Sequence, residues 1–451
     1  RWINPGFLWL GWDDPVLEGS TVSQVGDSTD NRESQSKTIS FWGQRTLTHI
    51  KTIVDANPGR GSATQAETAA ALYVRDQLTT LNIGNLHTQA FTGLRSMWFF
   101  VALVFGTAMV GHLAFALLRL PLGAWPAWTI SIFAFGFSGL LIWRKFSFQD
   151  YPLRAYLPYG PSQNVIAVLP PAGEARRKVV LFAHLDSHRA VIWYATDALL
   201  TPYILIKPIA IFGIVAAPLC YAMALLAGLS IFTWIGAGLA GLHFFAWFTG
   251  VSADLGAYSP GANSNASGIG ILLALAERLD QQPLQHTEVW LAFTGCAATG
   301  GDGIRFFLAE HGSALKGALF IDIESVGIGE GLAYLQREGV FRKRRIPKEA
   351  ERLILDLAAA WQAPEGISQE QGKIQPVDGG HIGLVTEMGA VWEFGFEGVC
   401  LLALPQAGIT RLGGPFLPEY RRLTDTPDRL QVSALSIVHS FTWTLLQKLD
   451  S

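Results

Sequence analysis

The sequence has few charged residues. Only 15% of its 451 residues are Asp, Glu, Lys or Arg, whereas soluble globular domains contain about 25%. Half of the residues are hydrophobic and the mean hydropathy is +0.28, so the composition predicts that part of the chain lies in lipid. The net charge of −3 and the pI near 6.4 argue against a nucleic-acid partner.

Cysteine is also scarce. Cys220, Cys296 and Cys400 are too widely separated to indicate a disulfide framework or a CxxC zinc site. The one run of basic residues, FRKRR at residues 341–345, is more typical of a solvated loop than of a binding patch.

Four long uncharged segments predict transmembrane helices. They form two pairs, residues 96–118 with 122–143 and residues 208–229 with 231–251. Each is long enough to cross a hydrocarbon core of about 30 Å, and these lengths disfavour the alternative of helices buried in a soluble core. The short connections within each pair predict two helical hairpins.

Basic residues flank the predicted spans mainly on one side. Arg95, Arg144, Lys145 and Lys207 lie on the side that carries the rest of the chain, and Arg119 lies alone at the opposite turns. Cytoplasmic loops carry an excess of basic residues. We therefore predict a multi-pass integral membrane protein whose water-soluble domain lies in the cytoplasm.

The remainder of the chain alternates short apolar runs with amphipathic stretches. Strands are predicted at residues 164–169, 178–184, 288–293, 318–323 and 399–404. Helices are predicted at residues 46–55, 66–81, 268–279, 304–310, 348–361 and 430–449. This alternation predicts an α/β domain with a mostly parallel sheet covered by helices on both faces.

The hairpins interrupt this α/β domain. The predicted units are an aromatic N-terminal arm and polar connector (1–40), the first part of the domain (41–94), hairpin 1 (95–145), a second part of the domain (146–200), hairpin 2 (201–252) and the C-terminal part of the domain (253–451). The tryptophans of residues 1–15 suit contacts with lipid or a partner.

The predicted strand at residues 178–184 ends in polar residues. His184 and Asp186 are two residues apart and would share one face of a strand. The imidazole could then bind a metal while the carboxylate orients it from behind. The alternative is a structural histidine hydrogen-bonded to a neighbour.

Several motifs, in this order and spacing, resemble the co-catalytic zinc aminopeptidases, which are related to bacterial leucyl aminopeptidases, glutamate carboxypeptidase and the transferrin receptor. They include AHLDSH, GANSNASG, TGCAATGG, FIDIESVG and YRRLTDTPD. The resemblance covers roughly residues 44–90 and 160–450 and implies a zinc exopeptidase-like fold. In that family two zinc ions share a bridging carboxylate, and a glutamate takes a proton from the bridging water.

The resemblance implies that part of the metal site is retained. It places the first histidine ligand at His184 and the aspartate that orients it at Asp186. A ligand that is aspartate in the family falls on Glu324, whose longer carboxylate could still bind a metal.

The other family positions carry residues that cannot do the chemistry. The bridging aspartate falls on Ser264, the catalytic base on Ala297, and the two remaining ligands on Ala298 and Arg421. A hydroxyl is a poor zinc ligand, a methyl is none, and a guanidinium is not deprotonated in a protein. We therefore predict no catalytic residue and no bound metal, with Arg421 forming an ion pair with Glu324.

Other polar residues near these motifs are candidates to rescue the site. His381 and Asp378 stand in a segment that resembles a substrate pocket of the family, and His188, Asp302 and Asp322 lie near the metal motifs in sequence. A rescued site would use His184, Glu324 and His381.

The sequence thus predicts a catalytically inactive, membrane-embedded aminopeptidase-like protein that requires no cofactor. Its expected partners are the lipid bilayer and other membrane-protein subunits, for which it would act as a scaffold or accessory subunit. The transferrin receptor and nicastrin are related proteins that kept the fold for binding. The alternative is a membrane-anchored zinc exopeptidase with a single-metal site; transport of a solute is disfavoured because the spans carry few polar residues.

Overall fold

A computed structural model describes residues 26–81, 83–147, 152–329, 331–339, 342–361, 374–379, 385–405 and 417–451, with side chains from residue 41 onward. The predicted aromatic arm at residues 1–15 lies outside the described residues, as do residues 17–25 of the predicted connector.

Helices and strands alternate along the described chain. The helices are α1 (Gly26–Ala56), α2 (Gln65–Thr80), α3 (Trp98–Leu122), α4 (Ala124–Phe146), α5 (Asp197–Ala227), α6 (Ser230–Leu255), α7 (Ser267–Gln281), α8 (Asp302–His311), α9 (Lys348–Ala360), α10 (Met388–Glu393) and α11 (Val432–Asp450). The strands are β1 (Asn85–Leu94), β2 (Tyr159–Leu169), β3 (Arg177–His184), β4 (Thr287–Thr294), β5 (Leu319–Ile323), β6 (Gly331–Glu338), β7 (Arg344–Arg345), β8 (Gln375–Asp378) and β9 (Glu397–Leu404).

The strands of the described residues form one mixed sheet. Its order is β1-β2-β4-β3-β5-β9-β6-β7, and β8 also pairs with β6. The central strands β4, β3, β5 and β9 are parallel, whereas β1, β2, β6 and β7 pair antiparallel with their neighbours on this path. The predicted α/β class is confirmed, with a parallel centre and antiparallel outer strands.

Strand β3 lies in the middle of the sheet and is buried on both faces. Val179 and Leu181 pack into one core with α1, α2, α7, α9 and α11. Val180 and Phe182 pack into a second core on the other face with α8 and α10. Because both faces are covered, residues 179–183 are a continuous apolar run, and the polar His184 follows at the carboxyl end of the strand.

Two parts of this domain differ from the sequence prediction. Residues 26–40, expected to form a connector, are the first half of α1, so that helix begins twenty residues before the predicted residue 46. Strand β1 and the group β6 to β8 were not predicted. They lie toward the edges of the sheet, where a strand needs fewer apolar residues.

Helices α3 to α6 are long and apolar enough to span a membrane. They pack in a ring in which α3 contacts α4 and α6, and α5 contacts the same two helices. Helix α5 begins at Asp197, eleven residues before the predicted start, with the Thr196 side chain capping its first turn. Lys207 consequently lies inside α5 and not beside it.

A chain of hydrogen bonds crosses the interior of this four-helix bundle. The Tyr221 hydroxyl lies 2.7 Å from His112 Nδ1, His112 Nε2 lies 2.9 Å from His243 Nδ1, and His243 Nε2 lies 3.0 Å from the Ala210 carbonyl oxygen. Every ring nitrogen therefore has a partner, so the two buried histidines are compatible with an apolar environment.

Candidate functional site

Several of the family's site positions, retained or substituted, meet at one edge of the sheet. His184 is the last residue of β3, Glu324 follows β5 directly, and Ala297 and Ala298 lie in the loop after β4. These three strands are parallel neighbours. Their carboxyl ends meet at the edge where open α/β sheets form their sites.

His184 is held between two carboxylates. Its Nδ1 lies 2.8 Å from the carbonyl oxygen and 3.1 Å from Oδ1 of Asp186, and its Nε2 lies 3.0 Å from Oε2 of Glu324. Burial alone lowers the pKa of His184, but Glu324 and Asp186 raise it well above the ordinary value. The side chains of His184 and Glu324 therefore form a buried ion pair.

The Asp186 carboxylate is fully buried and saturated by donors. It accepts hydrogen bonds from the Ser62 hydroxyl and from the backbone N–H groups of Ala297 and Ala298, at 3.1 and 3.0 Å for the two alanines. The loop that carries the family's base and ligand positions thus contributes its backbone to this site. Its side chains at these two positions are methyl groups.

Hydroxyl groups surround the other oxygen of Glu324. Ser264 Oγ lies 3.3 Å and Ser325 Oγ lies 2.6 Å from Oε1. Asp425 fixes the loop of Ser264, because its carboxylate accepts hydrogen bonds from the backbone N–H groups of Asn263 and Ser264. Burial raises the pKa of Asp425 to about 7 despite these two hydrogen bonds.

The predicted ion pair between Arg421 and Glu324 is wrong. Glu324 is already paired with His184, and the Arg421 guanidinium packs instead against aromatic rings, an arrangement that stabilises a cation. The ring centroids lie 5.0 Å (Tyr420), 5.2 Å (Trp98) and 5.6 Å (Tyr194) from the guanidinium carbon. Arg421, at the family position of the last zinc ligand, therefore contacts Trp98 at the start of α3.

The structure does not bring Asp378 to this site. Asp378 is paired with Arg337 on β6, and β8 lies four strands from β3 along the hydrogen-bonded sheet. His381 lies outside the described residues. The Asp302 carboxylate accepts a hydrogen bond from the backbone N–H of Leu94 and forms an ion pair with Arg154.

The remaining candidates, His188 and Asp322, do lie near the site. The His188 ring centroid is 6.0 Å from that of His184. Burial, followed by the charge of Arg421, lowers the pKa of His188 well below its ordinary value. Burial raises the pKa of Asp322 well above its ordinary value, and the charge of Glu324 raises it further.

Two buried residues of this region were missed from the sequence. Glu387 accepts a hydrogen bond from the Thr294 hydroxyl, and burial raises its pKa to about 8. Arg60 is fully buried and donates to the carbonyl oxygens of Leu185, Pro260 and Gly261. The GRGS motif around Arg60 was a usable signal, whereas nothing in the sequence around Glu387 distinguishes it.

The described residues do not fit a co-catalytic zinc site. Of the family's ligand positions, His184 and Glu324 carry strong zinc ligands, Ser264 carries a hydroxyl, and Arg421 carries a cation that packs against aromatic rings. A catalytic zinc normally has three protein ligands. No group of three His, Cys, Asp or Glu residues in the described part of the chain could hold a metal ion.

The sequence profile of peptidase family M28 matches residues 243–377, from within α6 to β8. This is less than a third of the chain, and it includes Ser264, Ala297, Ala298 and Glu324. None of the curated proteins matches the sequence.

Solved structures with the same fold include zinc aminopeptidases and glutaminyl cyclases. A glutaminyl cyclase from Bacteroides thetaiotaomicron is 13% identical with a TM-score of 0.51, covering 90% of this chain and 97% of its own. A leucine aminopeptidase precursor from the same organism is 13% identical with a TM-score of 0.50, covering 90% and 96%. The zinc aminopeptidase BSAP from Bacillus subtilis is 12% identical with a TM-score of 0.50, covering 90% and 95%. The resemblance is thereby confirmed for the fold: residues 243–377 match the profile of peptidase family M28, and the chain is similar in fold to solved zinc aminopeptidases and glutaminyl cyclases.

Proposed function

We propose that this protein is a catalytically inactive, membrane-embedded aminopeptidase-like subunit that acts as a scaffold in a membrane protein complex. The observation that carries this proposal is the chemistry at the family's base and ligand positions. Ala297 and Ala298 turn their backbone N–H groups toward Asp186, and Arg421 packs against aromatic rings. These groups can neither bind zinc nor take a proton from water.

The membrane location is supported by the outer surface of the four-helix bundle. Large apolar side chains there are exposed, including Leu120 at 86%, Phe133 at 74% and Trp234 at 73%. Such a surface would aggregate in water and is satisfied by lipid. Arg95, Arg144 and Lys145 at the ends of the helices support placing the domain on the cytoplasmic side.

One observation favours the alternative of a single-metal exopeptidase. His184 has Asp186 at one ring nitrogen and Glu324 at the other, which resembles the arrangement of a carboxylate, a histidine and a metal. In this alternative Glu324 and His184 would share a zinc ion and a third ligand would complete the site.

Hydrolysis of aminoacyl amides distinguishes the two functions. The protein is purified from its native membrane, supplied with zinc, and compared with a His184→Ala variant prepared identically. The proposal predicts equal residual rates, because any hydrolysis then comes from contaminating peptidases. Turnover that disappears in His184→Ala contradicts the proposal and supports the single-metal enzyme.

The same preparation tests the scaffold role. Light scattering with the detergent contribution subtracted should give a protein mass well above the 49.1 kDa of the chain. Mass spectrometry of the particle should then identify other subunits in fixed ratio to it. A monomer, or a particle made of this chain alone, contradicts the role as an accessory subunit.

A further inference from the structure

A cleft beside the former metal centre is lined by three arginines. Arg95 and Arg189 line it together with Arg421. Arg95 lies three residues before the start of α3, and Arg189 donates a hydrogen bond to the carbonyl oxygen of Gly256, the residue after α6. The cleft is therefore located where two of the four apolar helices join the domain.

None of these guanidinium groups is paired with a carboxylate in the part of the chain that the structure describes. Arg421 packs on aromatic rings, and Arg189 stacks over the Tyr258 ring at 3.8 Å. The Nε atoms of Arg189 and Arg421 are buried and have no hydrogen-bond partner among described residues. Cation–π contacts offset part of the cost of desolvation but leave these N–H donors unsatisfied.

Two hydroxyl groups that line the cleft are already hydrogen-bonded. The Ser62 hydroxyl donates to Asp186, and the Ser187 hydroxyl donates to the carbonyl oxygen of Ser259. Asp186, the buried carboxylate that accepts from Ser62, is saturated by its own donors. The buried donors without a partner among the described residues of the cleft are guanidinium N–H groups, and they call for an anionic ligand.

We propose that this cleft binds the phosphate of an anionic phospholipid headgroup. Guanidinium groups match phosphate oxygens in geometry and charge, and the cleft lies at the ends of α3 and α6, which are long and apolar enough to span a membrane. The space inside the cleft holds about one water molecule. We therefore place the phosphate at the mouth of the cleft, where the arginines line it.

This inference rests on the proposed function, because it assumes the membrane placement and names a ligand for the same non-catalytic cleft. A free phosphate ion has the same chemistry as the headgroup. The experiment therefore compares three probes on the delipidated, detergent-solubilised protein: dihexanoyl phosphatidylglycerol, dihexanoyl phosphatidylcholine and inorganic phosphate. Binding is measured by native mass spectrometry and by the shift in thermal unfolding temperature.

We expect phosphatidylglycerol to bind and to raise the unfolding temperature more than phosphatidylcholine does. Arg95→Gln and Arg189→Gln should each weaken its binding about fivefold, the effect of one basic residue at an anionic membrane surface. Arg352→Gln, which removes an arginine on the exposed face of α9, is the matched control and should bind like the wild type. Arg95→Lys keeps the charge but not the planar geometry, so it should lose less affinity than Arg95→Gln does, which separates lost binding from misfolding.

The outcomes separate the possible ligands. If inorganic phosphate binds as tightly as phosphatidylglycerol and both glutamine variants lose the same affinity for it, the ligand is a free phosphate ion and not a lipid headgroup. Phosphatidylglycerol binding that is absent, or unchanged in both variants, overturns the proposal. Zinc content and amide hydrolysis of the same samples test the proposed function separately, since neither depends on Arg95 or Arg189.

Discussion

Replacing Glu324 by glutamine tests whether the His184–Glu324 pair is structural. The two side chains are almost fully buried and lie 3.0 Å apart. Removing one member of a buried ion pair leaves the other charge uncompensated and typically costs about 3–5 kcal/mol. We therefore expect Glu324→Gln to lower the free energy of unfolding by about this amount, measured by urea denaturation in detergent and followed by near-ultraviolet circular dichroism.

The control is an exposed ion pair on the same domain. Arg352 and Asp356 are 3.7 Å apart with 82% and 73% of their side chains exposed, so Asp356→Asn should change stability by less than about 0.5 kcal/mol. A double-mutant cycle with His184→Gln should show that the effects of His184 and Glu324 are strongly coupled.

A chelator distinguishes a structural pair from a pair of zinc ligands. If the two side chains stabilise each other directly, the loss in Glu324→Gln is the same with and without EDTA. If they share a zinc ion, EDTA destabilises the wild type and most of the difference between wild type and variant disappears. The second result would refute the reasoning.

Three further predictions concern packing and charge. A Cβ at Gly250 would lie 2.6 Å from the backbone nitrogen of Ala102, so Gly250→Val should lower the unfolding temperature, while Gly241→Val on the same helix, with nothing within 4 Å, should not. Burial raises the pKa of Glu277, but its partners His49 and Arg45 lower it to about 2. The stability that Glu277 contributes is therefore present above its ordinary pKa and is lost as pH falls toward 2. Glu277→Gln should make stability depend less on pH below about pH 4.5, measured by thermal unfolding. Arg60→Lys should cost about 2 kcal/mol or more in urea denaturation, because a lysine cannot reproduce three hydrogen bonds from one planar group.

The centre of the sheet could be predicted from the sequence because it is buried on both faces. Strands β3 and β9 contain continuous apolar runs for this reason, and β5 is apolar except for Asp322. Strand β1 pairs only with β2 at the sheet edge and alternates buried and exposed residues in its second half. Its sequence, NLHTQAFTGL, carries too weak a period to be recognised as a strand.

The start of α1 was unpredictable for a related reason. Residues 26–40 contain Ser, Thr, Asp, Asn and Gln with few apolar residues, so they lack the 3.6-residue period that identifies an amphipathic helix. The later part of the same helix buries Ile50 and Ile53 in the core. Only this later part was visible in the sequence pattern.

The motifs located the members of the site, but not all of their partners. The order of family phrases was enough to bring His184, Glu324 and Ser264 together. The partner of Arg421 could not be deduced, because the choice between a carboxylate and aromatic rings depends on how Trp98 of α3 is placed against the domain. That placement is a property of tertiary packing.

Zinc stoichiometry is the most direct test of the claim that the metal centre has been lost. The protein is purified from its native membrane without chelators, dialysed against zinc-containing buffer, freed of unbound metal, and analysed by elemental mass spectrometry beside a His184→Ala variant. We predict zinc far below one ion per chain and equal in both samples. Stoichiometric zinc in the wild type that is lost in His184→Ala would contradict the account.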